Sequence, residues 1–325
     1  MKKRFFLFLV SIMGTMAVHA IDKNTVEVVY NGATATVTIA DNIASYVTVS
    51  SGTSSHVVIT QSKDFAGVDA TADNEDGEIF YVLSGSSTDG EFCLYGSYKC
   101  EIDLNGLILT NPAGPALNIQ NGKRIEISSK KGTTNTLTDG KNKDYNGCIH
   151  VTGHTKFKGK GTLTIVGNSK HGIYSKEYVE IKNLTLNITA AEKDGIHCKQ
   201  YFYMESGTVN ISGAKEDGIQ CELDGTASTG ELPEHEDEDT GNVYQEDGKL
   251  SISNYGGKAI KADGSINYLG GTQNFDTADT EIETGILTVK SLKPDDDAVV
   301  YDLNGRRVLN PSHGVYVVNG QKILK

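Results

Sequence analysis

The chain has 325 residues, among them 36 glycines, 15 tyrosines, 5 cysteines and no tryptophan, and its formal charge is −12 at neutral pH. That acidic balance excludes nucleic acid as the natural partner, which wants a basic face. Glycine and β-branched residues dominate, which disfavours helix, and five cysteines cannot all pair within one chain.

Residues 1–20 read as a secretory signal. Lys2, Lys3 and Arg4 precede the apolar run Phe5 to Val10, and small residues end at Ala20, the expected cleavage point. The next residue is Ile21 rather than Cys, so no lipid attachment is expected there. Residues 21–99 read as an N-terminal β cap and first coils. Asn31-Gly32 lies between two alternating runs, Thr25 to Tyr30 and Ala35 to Ile39, and signals a hairpin. Cys93 and Cys100 are close enough in sequence to close a small loop.

Residues 100–271 carry a repeat. Gly161-Thr-Leu-Thr-Ile165 leads to His171-Gly-Ile-Tyr-Ser-Lys176. Leu184-Thr-Leu-Asn-Ile188 leads to Asp194-Gly-Ile-His-Cys-Lys199. Gly207-Thr-Val-Asn-Ile211 leads to Asp217-Gly-Ile-Gln-Cys-Glu222. The step is 23 residues (196 − 173 and 219 − 196), and a fourth copy reaches Ile260 after an insertion. Gly147-Cys-Ile-His-Val151 is a degenerate earlier copy, its Ile149 one longer step before Ile173. A fixed period of this size signals a solenoid, and two-residue alternation within each block signals strands. The expected fold is therefore all-β, a parallel β-helix with one repeat per coil and Ile173, Ile196, Ile219 and Ile260 in one buried ladder. The insertion carries a run of acids, Glu231 to Asp239, which reads as a solvated loop. Residues 272–298 read as a linker, and residues 299–325 as a small C-terminal β unit.

Stacking places equivalent residues about 4.8 Å apart. Asp194 and Asp217 share a position, so their carboxylates repel unless something positive intervenes. Calcium is a natural partner for such oxygens outside the cell, with Glu216 and Asp224 near enough in sequence to contribute. Lys193 and Lys258 could neutralise the pair instead, and Asp-Gly is a good turn dipeptide for its own sake. Cys198 and Cys221 also share a position, as a disulfide or as two buried thiols. After each inward isoleucine comes an outward residue, Tyr174, His197, Gln220 or Lys261. Lys176 and Lys199 follow two positions further on, and Tyr201 and Tyr203 are drawn into the same strip. Rings would stack on sugars and the lysines would meet uronate carboxylates; ordinary surface ladders would give the same pattern.

Two stretches resemble known families. Leu104-Asn-Gly-Leu107, Gly114-Pro-Ala-Leu-Asn-Ile-Gln-Asn-Gly-Lys123, Asn135-Thr-Leu-Thr-Asp-Gly140, Lys170-His-Gly-Ile173 and the two Asp-Gly-Ile blocks resemble a family of secreted bacterial carbohydrate-binding β-helix proteins, related in fold to pectate lyases. That resemblance implies a right-handed helix, calcium between coils, and binding of cellulose or acidic plant polysaccharide rather than cleavage. The chain departs from it at His171 and Lys258, where the Asp of Asp-Gly-Ile is missing. The tail, Tyr301-Asp-Leu-Asn-Gly-Arg306 and Gly314-Val-Tyr-Val-Val318, resembles the C-terminal sorting signals of type IX secretion. It implies outer-membrane export machinery as a partner and a secreted or cell-surface location. A monomer is expected. A polysaccharide lyase is the rival class, with Lys176 or Lys199 as base. The two carboxylates Asp194 and Asp217 could also be read as a hydrolytic pair. A surface adhesin or stalk is the third class.

Overall fold

The computed structural model describes residues 21–63, 65, 78–225, 239–276, 300–301, 307–308, 315–318 and 321–324. The secretory segment, the body of the acidic insertion and most of the linker lie outside the described residues.

Alternation of apolar and polar residues makes each block a strand, because one side of the pleat can be buried while the other meets water. The strands of successive repeats pair in parallel, and three of them make one coil. The first face holds Ile125–Ser129, Thr155–Gly159, Val179–Lys182, Tyr201–Met204, Asn242–Gln245 and Ile266–Tyr268. The second holds Thr134–Asp139, Thr162–Gly167, Thr185–Ala191, Thr208–Ser212, Lys249–Ser253 and Thr272–Phe275. The third holds Glu91–Gly96, Leu117–Asn121, Gly147–Val151, His171–Ser175, Ile196–Lys199, Ile219–Glu222 and Ile260–Ala262. The long strand Cys100–Asn111 pairs with the opening strands of both the first and the second face and so joins them into one sheet. No α-helix occurs among the described residues. The expected parallel β-helix is the observed fold.

The core is built from columns. On the third face Phe92, Leu117, Ile149, Ile173, Ile196, Ile219 and Ile260 are paired in register. All are buried, and those from Phe92 to Ile219 completely. On the second face Leu109, Leu137, Ile165, Ile188, Ile211, Ile252 and Phe275 form the matching column. Each such aliphatic chain contributes about 1.5–3 kcal/mol by leaving water.

Two glycine positions show how tightly the coils fit. A Cβ at Gly195 would lie 2.5 Å from Ile211 Cγ2 and 2.7 Å from the carbonyl oxygen of Gly218 in the next coil. The glycine of Asp-Gly-Ile is thus required by close approach between faces and coils. The fourth copy has Ala259 there, and it retains 8 % exposure. At the corner between the first and second faces, Gly207 has φ +102, which L side chains rarely adopt.

At the N-terminal end the pairing turns partly antiparallel. Thr25–Asn31 and Thr34–Ile39 form the hairpin around Gly32, and Val47–Val49 pairs antiparallel with His56–Gln61. These strands cover the first coil, where Ile79–Ser87 and Glu91–Gly96 already pair in parallel with their successors. All five cysteines are free and buried. Cys198 and Cys221 are paired in register with Ala262 as small core residues, and no loop is closed between Cys93 and Cys100. Among the described residues of the tail, Val300–Tyr301, Val315–Val318 and Gln321–Leu324 form a separate antiparallel three-stranded sheet.

Candidate functional site

The third face presents two outward lanes. In the first, Asn118, His150, Tyr174, His197, Gln220 and Lys261 are paired in register. In the second, Tyr95 pairs with Gln120, and Lys199 with Glu222. Register follows from the inward isoleucines, since a slip of one residue would turn these side chains into the core.

The rings of the first lane stack on one another. His150 and Tyr174 have centroids 5.2 Å apart at an interplanar angle of 13°, and Tyr174 and His197 5.5 Å apart at 23°. Their faces are turned toward neighbouring coils, so what the lane turns outward is ring edges: the Tyr174 hydroxyl and the His150 imidazole, with the His197 nitrogens facing Asp194 and Glu222. The Tyr174 ring is stacked between His150 and His197 rather than laid flat toward solvent, unlike the flat sugar-stacking surface expected from the sequence. Tyr145 meets His150 edge-on at 5.5 Å, and the Asn146 N–H donates to His150 Nδ1 at 3.3 Å.

Two residues assigned to the strip lie elsewhere. Tyr201 is completely buried, stacked on Tyr178 with centroids 4.6 Å apart, and its hydroxyl donates to Glu180 at 3.4 Å. Tyr203 stands on the first face, in register with Glu180 and Tyr244, and bonds Glu246. The column shared by Tyr178 and Tyr201 is thus buried rather than part of the outward strip. Tyr178 and Tyr201 fill the turn between the third and first faces. The lysines remain with the lane. Lys176 is exposed, while Lys199 Nζ lies 3.5 Å from Asp224 Oδ1.

The carboxylates chosen for calcium are not gathered into one oxygen shell. Asp194 Oδ1 accepts the Asp217 N–H at 2.9 Å, and Asp217 Oδ1 accepts the Lys258 N–H at 2.7 Å. Each aspartate thus caps the amide of the next coil, which is a structural use for the repeated Asp. Asp217 Oδ2 faces Lys261 Nζ at 3.7 Å, Glu216 pairs with Lys193 at 3.1 Å, and Asp224 faces Lys199. Calcium takes six to eight oxygens, and these donors do not fit that demand: they are spent on amides and lysines, and the groups converging on Asp194 are imidazoles.

His171 Nδ1 and His197 Nδ1 lie 3.1 and 3.0 Å from Asp194 Oδ2. Asp194 has no exposed surface. Burial by itself would raise its pKa, but hydrogen bonds from His171 and His197 and the Asp217 amide outweigh burial and hold the carboxyl well below its usual range. Asp217 is shifted the other way, raised chiefly by burial and, against the Lys258 amide, by Asp194. Burial pushes the His171 imidazole down despite the carboxylate beside it.

His150 is pushed down to about 4 by burial, with Lys170 adding to the effect. A lowered folded pKa means that the unfolded chain takes up a proton first, at about 6.5. The neutral ring therefore contributes stability above that pH, and the contribution is lost as pH falls through the folded value. We expect urea stability to drop by on the order of 2–3 kcal/mol between pH 7.5 and 4 from this group. His150→Gln should show a smaller drop over the same window. An equal drop in both proteins would place the acid sensitivity elsewhere.

Comparison with known proteins bears on the family and the fold. A family model described as carbohydrate-binding domain-containing protein matches residues 66–305. A protein of that description from Acetivibrio thermocellus is 25 % identical over 111 residues, 31 % of this chain; the match spans 39 % of that relative's length. A solved structure, described as the polysaccharide lyase-like protein from C. thermocellum in a gadolinium derivative, is similar with a TM-score of 0.56. It is 20 % identical, and the alignment covers 76 % of this chain and 99 % of that one. At that identity the likeness speaks to the fold.

Proposed function

The chain belongs to the family of carbohydrate-binding domain-containing proteins, and on that premise we propose that it binds an acidic, plant-type polysaccharide along the third face without cleaving it. The observation that carries the reading is the in-register lane His150–Tyr174–His197 with Lys176 and Lys199 beside it. Its polar edges recur once per coil, about every 4.8 Å, so an extended glycan laid along the helix axis meets a donor or acceptor at each step. Several weak contacts in one chain then act together. Lys176 supplies the exposed positive charge for a uronate carboxylate, whereas Lys199 shares its charge with Asp224. Export by the segment ending at Ala20 and the sorting-signal-like tail belongs to the same reading, because polymers of this kind lie outside the cell.

Affinity measurements on polygalacturonate and on cello-oligosaccharides, with ultraviolet detection of unsaturated products, test this. Lys176→Ala should weaken polygalacturonate binding about tenfold, roughly 1.4 kcal/mol, and leave the neutral glucan nearly unchanged. Tyr174→Ala should weaken both. Equal affinities of Lys176→Ala and the parent for both glycans would remove the lane from the argument. Unsaturated products that vanish in Lys176→Ala or Lys199→Ala would make the protein a lyase.

A further inference from the structure

We propose that His171, Asp194 and His197 form a binding site for a divalent metal ion of the zinc class, held by the two Nδ1 atoms and Asp194 Oδ2. The three ligand atoms lie within 4.8 Å of one another, and both nitrogens are 3.0–3.1 Å from the same oxygen. Two imidazoles and one carboxylate suit a borderline ion and leave a fourth position open. Bonds of about 2.0–2.2 Å in a tetrahedral set need donors roughly 3.3–3.5 Å apart. The two nitrogen–oxygen separations would open by a few tenths of an ångström to admit the ion.

His171 Nδ1 is contested inside the cluster. The Asp194 N–H points at His171 Nδ1 at 3.2 Å, which requires that nitrogen to accept. The same nitrogen lies 3.1 Å from Asp194 Oδ2, which requires it to donate. It cannot do both. A metal ion would take the Nδ1 and Oδ2 lone pairs in place of a shared proton, and the Asp194 N–H would give up its contact with that ring.

The surroundings are those of a supported metal site. His197 Nε2 lies 3.5 Å from Glu222 Oε2, a carboxylate on the far side of the ring that would hold the proton on Nε2 once Nδ1 binds the ion. Asp194 Oδ1 is held by the Asp217 amide, which aims Oδ2 at the imidazoles. The imidazoles keep 8 and 11 % side-chain exposure, so the ion would enter from the third face. His171 belongs to one coil and Asp194 and His197 to the next, and the ion would tie the two together.

The test uses the folded chain stripped with chelator and titrated with zinc chloride alone by calorimetry, then with cobalt(II) as a spectroscopic probe. The expected result is one zinc per chain, not displaced by excess calcium or magnesium, with a rise in thermal midpoint. Cobalt(II) should give the intense visible band of a low-coordinate site. His197→Gln should lower zinc affinity about a hundredfold and abolish the midpoint rise, and Glu222→Gln should lower affinity about tenfold. His56→Gln removes the exposed histidine beside Asp89 and Glu91 and should leave the titration unchanged. Zinc binding that survives in His197→Gln, or is lost in His56→Gln, overturns the site. If His197→Gln fails to fold, an absent cobalt band in the parent or an unchanged affinity in Glu222→Gln overturns it equally. No glycan enters any readout, so this result stands apart from the fate of the polysaccharide reading.

Discussion

Ile196→Asp should leave no folded protein. The side chain has no exposed surface and stands between Ile173 and Ile219 in the third-face column. Removing the isoleucine would forfeit about 2–5 kcal/mol on its own. The carboxylate that replaces it finds no cation in that column, and burying it unpaired costs several kcal/mol more. A domain is typically stable by only about 5–15 kcal/mol, and a coil that cannot close also exposes the strand edges of its neighbours. The expected outcome is insoluble or protease-sensitive chain, with the strand signal in circular dichroism lost. Ile196→Val, which keeps the column apolar, should cost only about 0.5–1.5 kcal/mol and stay folded. An Ile196→Asp protein with native stability would mean that the column is not a packed core.

The repeat made this column legible. A step of 23 residues held at Ile173, Ile196 and Ile219 can only be satisfied by stacking, and the pairing Ile149–Ile173–Ile196–Ile219–Ile260 follows it. The same repeat hid part of the site. Equivalence says which residues share a column but not how far a column is exposed, so Tyr201 was drawn into a surface strip although it lies in a corner that Tyr178 seals. His150 was within reach. Ile149 is opposite Ile173, so its neighbour must stand opposite Tyr174, but the extra residue in that step obscured the match. The aspartates have a use that a side-chain pattern does not show. Two carboxylates in one column look like a demand for a cation when only side chains are counted. A backbone N–H of the next coil also stabilises one oxygen of each carboxylate, and amides are not visible in a sequence pattern. The convergence of His171 and His197 on Asp194 was hidden too, because it joins two repeat positions three residues apart across neighbouring coils.

Asp194→Ala, measured in chelator, should cost about 3–5 kcal/mol, because one carboxylate serves three partners. Its loss leaves the Asp217 amide without an acceptor, two imidazoles facing a void, and a small cavity beneath the third face. Asp194→Asn keeps an oxygen for the amide and a shape that fits, and should cost less than half as much. The pH dependence separates charge from shape. The folded carboxyl is held well below its usual range by hydrogen bonds from His171, His197 and the Asp217 amide that outweigh burial. Its charge therefore contributes stability fully above about pH 4, the unfolded value, and that contribution fades as pH falls toward the folded one. Urea midpoints at pH 7 and pH 3 should show the gap between the parent and Asp194→Asn narrowing in acid, while the gap between Asp194→Asn and Asp194→Ala persists. If the parent and Asp194→Asn differ by the same amount at both values, the carboxylate charge is not what the imidazoles hold, and Asp194 acts only as the cap on the next coil.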